Sequence, residues 1–565
     1  MVAEFPHAVA LRLSMPKTKK KQKAQKTAAE APPLSLKEKL AQKRKVAKGR
    51  QAFIQYTGAV VAGAAFLGLL LSVLAEPKLG VVAAGGIICL ALCFRYPRQA
   101  IYAFIIYVPF SGTVTYALGG SALLQLAKDA FFFPAATGVF LFCTRYKQNL
   151  LIPQAIKLPL MIVLTLMTAT MLFVNLPQHF AAGGSEQPIL LGILGIKAVL
   201  GYLLLITCVY YLIRTKEDLY ALLRLQVVLI LICCGLGFMQ YMMLKTGRCE
   251  GTVGTGDELF RASLEARCLV GGSLLYSPEQ NQIRLPGTFV APWQWGWFLI
   301  SSAFFTFGTA FSDRNFIWRI IGLAAMAAVA VMSLLSGQRI ALALVPVVVG
   351  LLLVLTGQIA NLKRFLPIGI GLVLILMFAM ARDPEVVSER LDSFISRWEA
   401  SPPQAFIMQQ LNWAYKQQQG IFGRGAGRAT NAARTFGKTK LVETYHSKLL
   451  YEFGIIGLVG ILALYTVLTI VTFKAYRAVK EPNLRGYGAS MWVFVLFISY
   501  FPYYYPLDVD PVNVYYWLAA GIVLKLPDID RQERLEKSME GDTTKKLSKK
   551  ELRQIQKAKE AAQFN

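Results

Sequence analysis

The sequence predicts an all-α protein, a polytopic transmembrane helical bundle of about 12 to 14 spans. Of its 565 residues, 55% are hydrophobic and only 16% are charged, whereas soluble domains carry about 25% charged residues. Between Ala52 and Leu526, apolar stretches recur that approach the ~20 residues needed to cross about 30 Å of hydrocarbon. This composition excludes an ordinary water-soluble globular enzyme.

Fourteen apolar stretches qualify as spans, in chain order. They are 52–74, 79–94, 100–118, 124–144, 158–175, 189–213, 219–244, 292–311, 316–335, 338–355, 364–380, 448–473, 487–505 and 512–525. Some are short or interrupted by proline and glycine, as the third is by Pro109 and Gly112. Such interruptions are tolerated in membrane helices, so the count is given as a range.

Basic residues beside the spans predict that both termini lie in the cytoplasm. With the N-terminus inside, the short inner loops are rich in Lys and Arg and the short outer loops have almost none, Lys78 being the main exception. The inner-loop residues are Arg95, Arg98, Arg145, Lys147, Arg214, Lys216, Arg314, Lys363, Arg364, Lys474, Arg477, Lys480 and Arg485. The predicted location is the inner (plasma) membrane.

A basic tail, 1–51, precedes the transmembrane domain, 52–526, and a charged tail, 527–565, follows it. The first tail has no apolar core, so it is not a signal peptide. Its Lys-rich stretch lacks aromatic residues that stack on bases. This favours contact with anionic lipid, at about 1 kcal/mol per basic residue, over nucleic-acid binding. Met15 is an alternative start to Met1.

Two long connections, about 245–290 and 381–447, fall on the outer side and are expected to carry function. Long connections in compact proteins are usually functional or disordered, and the second contains Trp398, Phe406, Trp413 and Tyr415 rather than a disordered composition. The first contains Cys249 and Cys268. On the oxidising side of a membrane this pair could close a disulfide, although the sequence leaves the required geometry open.

One imidazole and two guanidinium groups stand out at the outer face. His446 ends the second long connection, just before an apolar span, and is either an interfacial residue or a group that titrates near neutral pH. Arg284 and Arg339 lie at the outer ends of other spans. An arginine at a membrane boundary either extends to the surface or meets an anion. Together the three residues place two cations and one imidazole at one membrane face, at the level of the headgroups.

A glycine-rich segment, Gly423-Arg424-Gly425-Ala426-Gly427-Arg428, lies about 20 residues before His446. Glycines let backbone N–H groups approach an anion, and arginine offers paired donors to phosphate oxygens. The segment is not a Walker loop, because the Lys-Ser/Thr ending is absent. Neither a cofactor nor a metal site is expected, since no zinc-type spacing of Cys and His occurs.

Smaller features near His446 have more than one interpretation. Lys448 and Glu452 are spaced for a helical ion pair, and Glu443 is either a solvent-exposed acid or a group that orients the imidazole. Asp508 and Asp510 form an acidic outer turn that could accept sugar hydroxyls but would make a poor metal site. Sugar stacking is also conceivable for the aromatic residues Trp293, Trp295, Trp297, Tyr503, Tyr504 and Tyr505, although an interfacial aromatic belt explains them more simply.

Four motifs lie between about Arg284 and Tyr465. They are Arg284 to Phe289, Ser336 to Arg339, Gly423 to Gly427, and His446 followed by Leu450-x-Glu452-x-Gly454-Ile455-Ile456-Gly457-Leu458. These motifs resemble the O-antigen ligase and O-antigen polymerase superfamily of polytopic membrane glycosyltransferases. The chain departs from the usual pattern at Ser447, where Asn is common, and at 292–294, which bears on the identity of the acceptor.

A narrower resemblance concerns the Lys-rich start, the run Ser35 to Leu40 and the stretch Phe110 to Tyr116. These are similar to the cyanobacterial branch of the superfamily that is associated with hormogonium polysaccharide synthesis.

The resemblance implies inverting, metal-independent glycan transfer from a polyprenyl diphosphate carrier to a hydroxyl acceptor at the outer face, in exopolysaccharide or other cell-surface glycan synthesis. Arg284 and Arg339 would stabilise the diphosphate as negative charge develops on it, with Arg424 and Arg428 as secondary ligands. His446 would be the base, contributing about 10²- to 10⁴-fold. The implied partners are the lipid-linked donor, a glycan or lipid acceptor, membrane lipids and other polysaccharide-assembly proteins.

Two other function classes stay open. A flippase or exporter of lipid-linked glycans would place ionisable residues at the bilayer midplane and show repeat symmetry, but no repeat is found and the notable charges lie at one face. A noncatalytic partner in polysaccharide assembly would use the basic tails for docking. Ligase and polymerase are indistinguishable here, because they differ in the acceptor and share the donor chemistry.

Overall fold

The computed structural model describes residues 36–541, with internal gaps. The gaps are 75–76, 120–123, 125–126, 149, 151, 182, 184–185, 250, 252–266, 272–274, 278–281, 360–362, 364–369, 371–394, 397–398 and 400–401. Both predicted tails lie largely outside the described residues, as do Met15, Trp398 and nearly all of the predicted span 364–380.

The described chain is predominantly helical, with one small hairpin, which confirms the predicted fold class. The helices are α1 Leu36–Leu74, α2 Pro77–Arg95, α3 Pro97–Tyr107, α4 Ser111–Ala117, α5 Ala127–Arg145, α6 Gln154–Thr170, α7 Leu176–Ala181, α8 Pro188–Leu200, α9 Leu205–Leu212, α10 Lys216–Lys245, α11 Pro292–Ser312, α12 Phe316–Leu335, α13 Arg339–Leu355, α14 Pro403–Gln417, α15 Tyr445–Ala478, α16 Pro482–Tyr500 and α17 Val512–Gly541. Strands β1 Leu275–Ser277 and β2 Gln282–Arg284 pair antiparallel.

Six helices in the described residues are long and apolar enough to cross a membrane: Arg50–Leu74, Pro97–Ala117, Gln154–Ala181, Lys216–Lys245, Phe316–Leu335 and Tyr445–Ala478. A seventh span results if α8 and α9, which are bent by 46° relative to each other, count as one. The protein is therefore membrane-embedded. The predicted 12 to 14 spans exceed this number. Helices α2 and α13 are apolar but shorter, and α17 runs past the predicted boundary at 526 into a charged stretch.

Helix α11 forms the centre of the bundle. Every side chain from Trp295 to Ser312 is buried, and α11 packs against α12, α13 and α16. A helix that is apolar all round and buried all round occupies a bundle core. Its first residues lie at the end of the bundle where β1 and β2 are found, and its last residue precedes the turn at Asp313.

The long connection after α10 is closed by a disulfide between Cys249 and Cys268, with Cα atoms 5.8 Å apart. The bond joins the end of α10 to the segment that leads into β1. It is the pairing that the sequence suggested, and disulfides persist in oxidising compartments.

A break in α15 sets the direction of its first turns. Gly454 has φ 70° and ψ −176° within the helix, a conformation that glycine adopts at little cost. A Cβ atom at this position would lie 2.1 Å from the carbonyl oxygen of Ile421. The segment Tyr445–Phe453 is thus a separate short helix that carries His446.

Candidate functional site

His446 is the second residue of α15, in the first turn of that helix. Its side chain is partly buried, and its Nε2 atom is buried with no hydrogen-bond partner among the described residues. Most buried polar atoms in proteins have such a partner. The imidazole is therefore available to bond a group from outside the chain.

The backbone around His446 is fixed by the segment between α16 and α17. Thr444 and Tyr503 form an antiparallel bridge, and the Tyr445 amide donates to the Pro502 carbonyl at 2.7 Å. The Thr444 hydroxyl donates to Ser447 Oγ at 2.6 Å. Ser447, where the resembled family usually has Asn, thus stabilises the start of the helix that bears His446.

Helix α11 connects this segment to the turns that carry the two arginines. Trp297 Nε1 donates to the Tyr504 carbonyl at 3.1 Å. The preceding residue, Gly296, approaches Gln338, and a Cβ atom there would lie 3.3 Å from Gln338 Cβ. His446 is thus linked through α11 to the turn before α13.

Arg284 and Arg339 lie on adjoining segments at the same end of the bundle. Arg284 ends β2, and Arg339 begins α13. The Leu285 amide donates to the Ser336 carbonyl at 2.9 Å, which joins the two segments. Both side chains are half-buried. The turns that carry Arg284, Arg339 and His446 are therefore connected by contacts.

Beside His446, a buried lysine lies between two carboxylates. Lys448 Nζ is 2.7 Å from Asp508 Oδ1 and 3.9 Å from Glu452 Oε2, and the three side chains are at most 2% exposed. The predicted Lys448–Glu452 pair is present, but the contact with Asp508 is shorter. Burial raises the pKa of Asp508 above its usual value, and Lys448 opposes this. We call these three residues the lysine triad.

The lysine triad also holds the glycine-rich segment. Glu452 Oε1 accepts hydrogen bonds from the Ala429 amide at 2.7 Å and from Thr430 Oγ1 at 3.0 Å. Asp508 Oδ2 accepts a longer one from the Asn431 amide at 3.5 Å. One set of buried charges thus fixes α15, the glycine-rich segment and the turn after α16 relative to one another.

Several backbone amides of the glycine-rich segment donate to protein acceptors, and its use as an anion site stays a prediction. The amides of Arg424 and Gly425 donate to the Tyr451 and Glu452 carbonyls, and the Ala426 amide donates to Asn175 Oδ1 at 2.9 Å. The glycines permit close packing instead. A Cβ atom on Gly427 would lie 1.9 Å from the Leu191 carbonyl oxygen.

The two arginines of this segment also donate to protein groups. Arg428 bonds Glu186 Oε2 at 2.6 Å and Gln178 Oε1 at 2.8 Å, and the bond from Arg428 holds the pKa of Glu186 below its usual value. Arg424 Nε donates to the Gln417 carbonyl at 2.6 Å. Their role as secondary diphosphate ligands stays a prediction, and binding would require these donors to change partners.

Asn175 is a site residue that sequence reasoning missed. It is fully buried in a π-helical turn, Met171–Asn175. Its amide nitrogen donates to the carbonyls of Pro188 at 2.9 Å and Ala426 at 3.0 Å. The available signal was a lone asparagine at the end of an apolar span, because a polar residue there needs a partner inside the bundle.

A second buried network joins α5, α8 and the acidic turn. Lys128 Nζ is 2.6 Å from Asp510 Oδ2, and Lys197 pairs with Asp129, which also accepts a hydrogen bond from Tyr202 at 2.8 Å. Asp508 and Asp510 therefore bind different lysines. They do not form a joint carboxylate site in this structure.

No group of three or more His, Cys, Asp and Glu residues suited to a metal ion occurs within the described ranges. No family model matches the chain, and no curated protein matches it either. Membership of the glycosyltransferase superfamily therefore stays a prediction from the motifs.

Proposed function

We propose that the protein transfers a glycan from a polyprenyl diphosphate carrier to a hydroxyl acceptor at the outer face of the membrane. The observation that carries the proposal is His446, whose buried Nε2 is unpartnered among the described residues and whose backbone is linked through Trp297 to the arginine-bearing end of the bundle. The disulfide at that end agrees with an extracytoplasmic location.

The proposed chemistry assigns one role to each kind of side chain. The guanidinium groups of Arg284 and Arg339 stabilise the negative charge that develops on the leaving diphosphate. Nε2 of His446 accepts the proton of the acceptor hydroxyl as its oxygen bonds the anomeric carbon. The bond from that carbon to the diphosphate breaks in the same step, so the anomeric configuration inverts.

The decisive experiment compares two histidines in purified protein reconstituted in liposomes with a lipid-linked glycan donor. His446→Ala should lower the transfer rate by about 10²- to 10⁴-fold without lowering the amount of folded protein. His179→Ala is the matched control, because His179 also has a buried, unpartnered ring nitrogen among the described residues, on α7. Equal transfer by His446→Ala and the unmodified protein would contradict the proposal.

The arginines are tested in the same assay. Arg284→Gln and Arg339→Gln should each lower transfer by about 10²-fold or more, because each removes a charge that stabilises the leaving group. Arg428→Gln is the comparison, since Arg428 is already bonded to Glu186 and Gln178. The transfer rate of Arg428→Gln, per folded molecule, should fall less than that of either of the other two variants.

One observation favours a transporter of lipid-linked glycans as the second candidate. The helices α8 and α9 form a bent pair, and Lys197 of α8 pairs with Asp129 within the bundle. Broken helices and intramembrane charges are features of transporters. In the same liposomes, a transporter would move the lipid-linked donor between leaflets and form no new glycosidic bond.

A further inference from the structure

The tyrosine run 503–505 has an unusual backbone. Tyr504 has φ 59° and Tyr505 has φ 36°, so two consecutive bulky residues lie in the left-handed region. Such a conformation is rare outside glycine and asparagine, and persists where the surrounding structure over-determines it. Strained residues of this kind cluster at functional sites, so the run is a candidate for binding or catalysis.

Three hydrogen bonds hold the run in place. The Tyr504 amide donates to the Glu443 carbonyl at 2.8 Å, Trp297 Nε1 donates to the Tyr504 carbonyl at 3.1 Å, and the Asp508 amide donates to the Tyr505 carbonyl at 3.0 Å. The first two partners belong to the segment that leads into His446 and to α11. The backbone of the run is thus fixed relative to the candidate base.

The rings form a stepped aromatic surface. The ring centroids of Tyr503 and Tyr504 are 5.3 Å apart, and those of Tyr504 and Tyr505 are 5.9 Å apart with an interplanar angle of 16°. Phe406 of α14 meets Tyr503 edge-on at 5.7 Å. Tyr505 is buried, whereas Tyr503 and Tyr504 are partly exposed. We call the two partly exposed rings, those of Tyr503 and Tyr504, the tyrosine platform.

The tyrosine platform lies close to His446. Tyr503 is the bridge partner of Thr444, and bridged Cα atoms are about 5 Å apart. His446 follows Thr444 by two residues, and two peptide units reach at most about 7.6 Å. The Cα atoms of Tyr503 and His446 are therefore separated by no more than about 13 Å, a distance that a short oligosaccharide spans.

We propose that Tyr503 and Tyr504 form a binding subsite for a sugar ring of the acceptor glycan, which rests on the proposed glycosyl transfer at His446. A pyranose ring has an apolar C–H face and a hydroxyl edge, and a tyrosine has an apolar face and a polar tip. A membrane-interface belt also uses tyrosine, but a belt requires neither a left-handed backbone nor hydrogen bonds to the segment before His446.

The test removes the ring while keeping the backbone. Asparagine tolerates the left-handed region, so Tyr504→Asn deletes the stacking surface without adding strain, whereas Tyr504→Phe keeps it. The probe is the oligosaccharide mixture released by mild acid from the polysaccharide that the host cells export. Its binding to purified protein is measured by calorimetry, in the His446→Ala background as well as in the unmodified chain.

The expected result is a loss of affinity of about tenfold in Tyr504→Asn and of no more than about threefold in Tyr504→Phe, in both backgrounds. Tyr415→Asn is the control, because Tyr415 is a 60% exposed tyrosine of α14 outside the platform. It should bind as the unmodified protein does. In transfer assays, Tyr504→Asn should raise KM for the acceptor and leave KM for the donor unchanged.

Unchanged oligosaccharide affinity in Tyr504→Asn would overturn the subsite. If that variant also lost more Tm in lipid nanodiscs than in detergent, the ring would be assigned to the membrane interface instead. The proposed function fails separately, since full transfer activity in His446→Ala would contradict it whether or not the oligosaccharide binds the platform.

Discussion

The two ends of α11 differ in whether every titratable group near them is paired within the described residues. At its last residues, the buried carboxylate of Asp313 accepts hydrogen bonds from Arg224 at 2.9 and 2.7 Å and from the Tyr487 hydroxyl at 3.1 Å. At its first residues, Trp297 leads to the segment around His446, whose Nε2 has no partner in the described ranges. At the Asp313 end, which we call the closed end, the charged groups pair with one another. The His446 end has paired charges as well, but it also holds a titratable imidazole whose Nε2 has no partner in the described ranges.

The closed end has further paired charges. Lys216 Nζ is 2.9 Å from Glu533 and 3.8 Å from Glu481, and Arg98 is 2.7 Å from Asp218. A cavity of about 470 Å³ lies here, lined in part by Lys216 and Arg224. Because those two cations are already paired, they have little attraction left for an anion.

Buried ion pairs and the imidazole of His446 serve different purposes. At the His446 end, the lysine triad is as buried as Asp313. Its Lys448 lies two residues after His446 in α15, so the triad fixes the helix that carries this imidazole. We therefore expect changes at both ends to lower stability, and only changes at the His446 end to lower transfer per folded molecule.

The largest expected loss of stability is that of Lys448→Met. Removing the cation leaves the Asp508 and Glu452 carboxylates uncompensated in the interior, which costs about 3–5 kcal/mol. The measurement is denaturant unfolding in detergent. The double variant Lys448→Met with Asp508→Leu removes both partners of the shorter pair, so it should recover part of the loss. An unchanged unfolding midpoint for Lys448→Met would show that the triad does not stabilise the bundle.

The break in α15 at Gly454 should be sensitive to any side chain. Gly454→Ala places a Cβ atom at φ 70° and 2.1 Å from the Ile421 oxygen, which costs about 2–3 kcal/mol from the backbone conformation and the contact together. Transfer per folded molecule should also fall, because Tyr445–Phe453 would reorient. Gly85→Ala, where nothing lies within 4 Å, is the control and should lose neither stability nor transfer.

The helices and the position of His446 were predictable, because both depend on local sequence. Apolar runs long enough to span a membrane predict helices, and His446 directly precedes one. The lysine triad was not predictable, since Lys448 and Asp508 are 60 residues apart and meet only after α15 and α16 have packed. The sequence also could not show what the glycine-rich segment packs against. Glycine permits close approach of a ligand or of a neighbouring backbone, and here Gly427 meets the backbone at Leu191.

At the closed end, Arg224→Met tests whether loss of a paired charge there lowers stability without lowering transfer. Among the described residues, it leaves the Asp313 carboxylate with only the Tyr487 hydroxyl and the Asn315 amide as donors, at a cost of about 1–3 kcal/mol. Arg224 itself is partly exposed, so solvent reduces the penalty. Transfer per folded molecule should stay within about twofold of the unmodified protein. A much larger fall would show that the two ends are coupled.

The smallest effect is a pH dependence of stability from Glu186. Arg428 holds the pKa of Glu186 below its usual value in the folded protein. A carboxyl group with a depressed folded pKa stabilises the protein above its unfolded pKa of about 4.3, and this contribution is lost as the pH falls through the lower folded value.

Glu186→Gln should therefore lower the free energy of unfolding at pH 7, by less than about 1 kcal/mol because the pair is partly solvated. The difference between the two proteins should shrink once the pH drops below the folded pKa, where Glu186 is protonated and resembles glutamine. Thermal melts of both proteins in the same detergent at pH 7 and at acid pH measure it, and a difference that grew with acidity would contradict the assigned pairing.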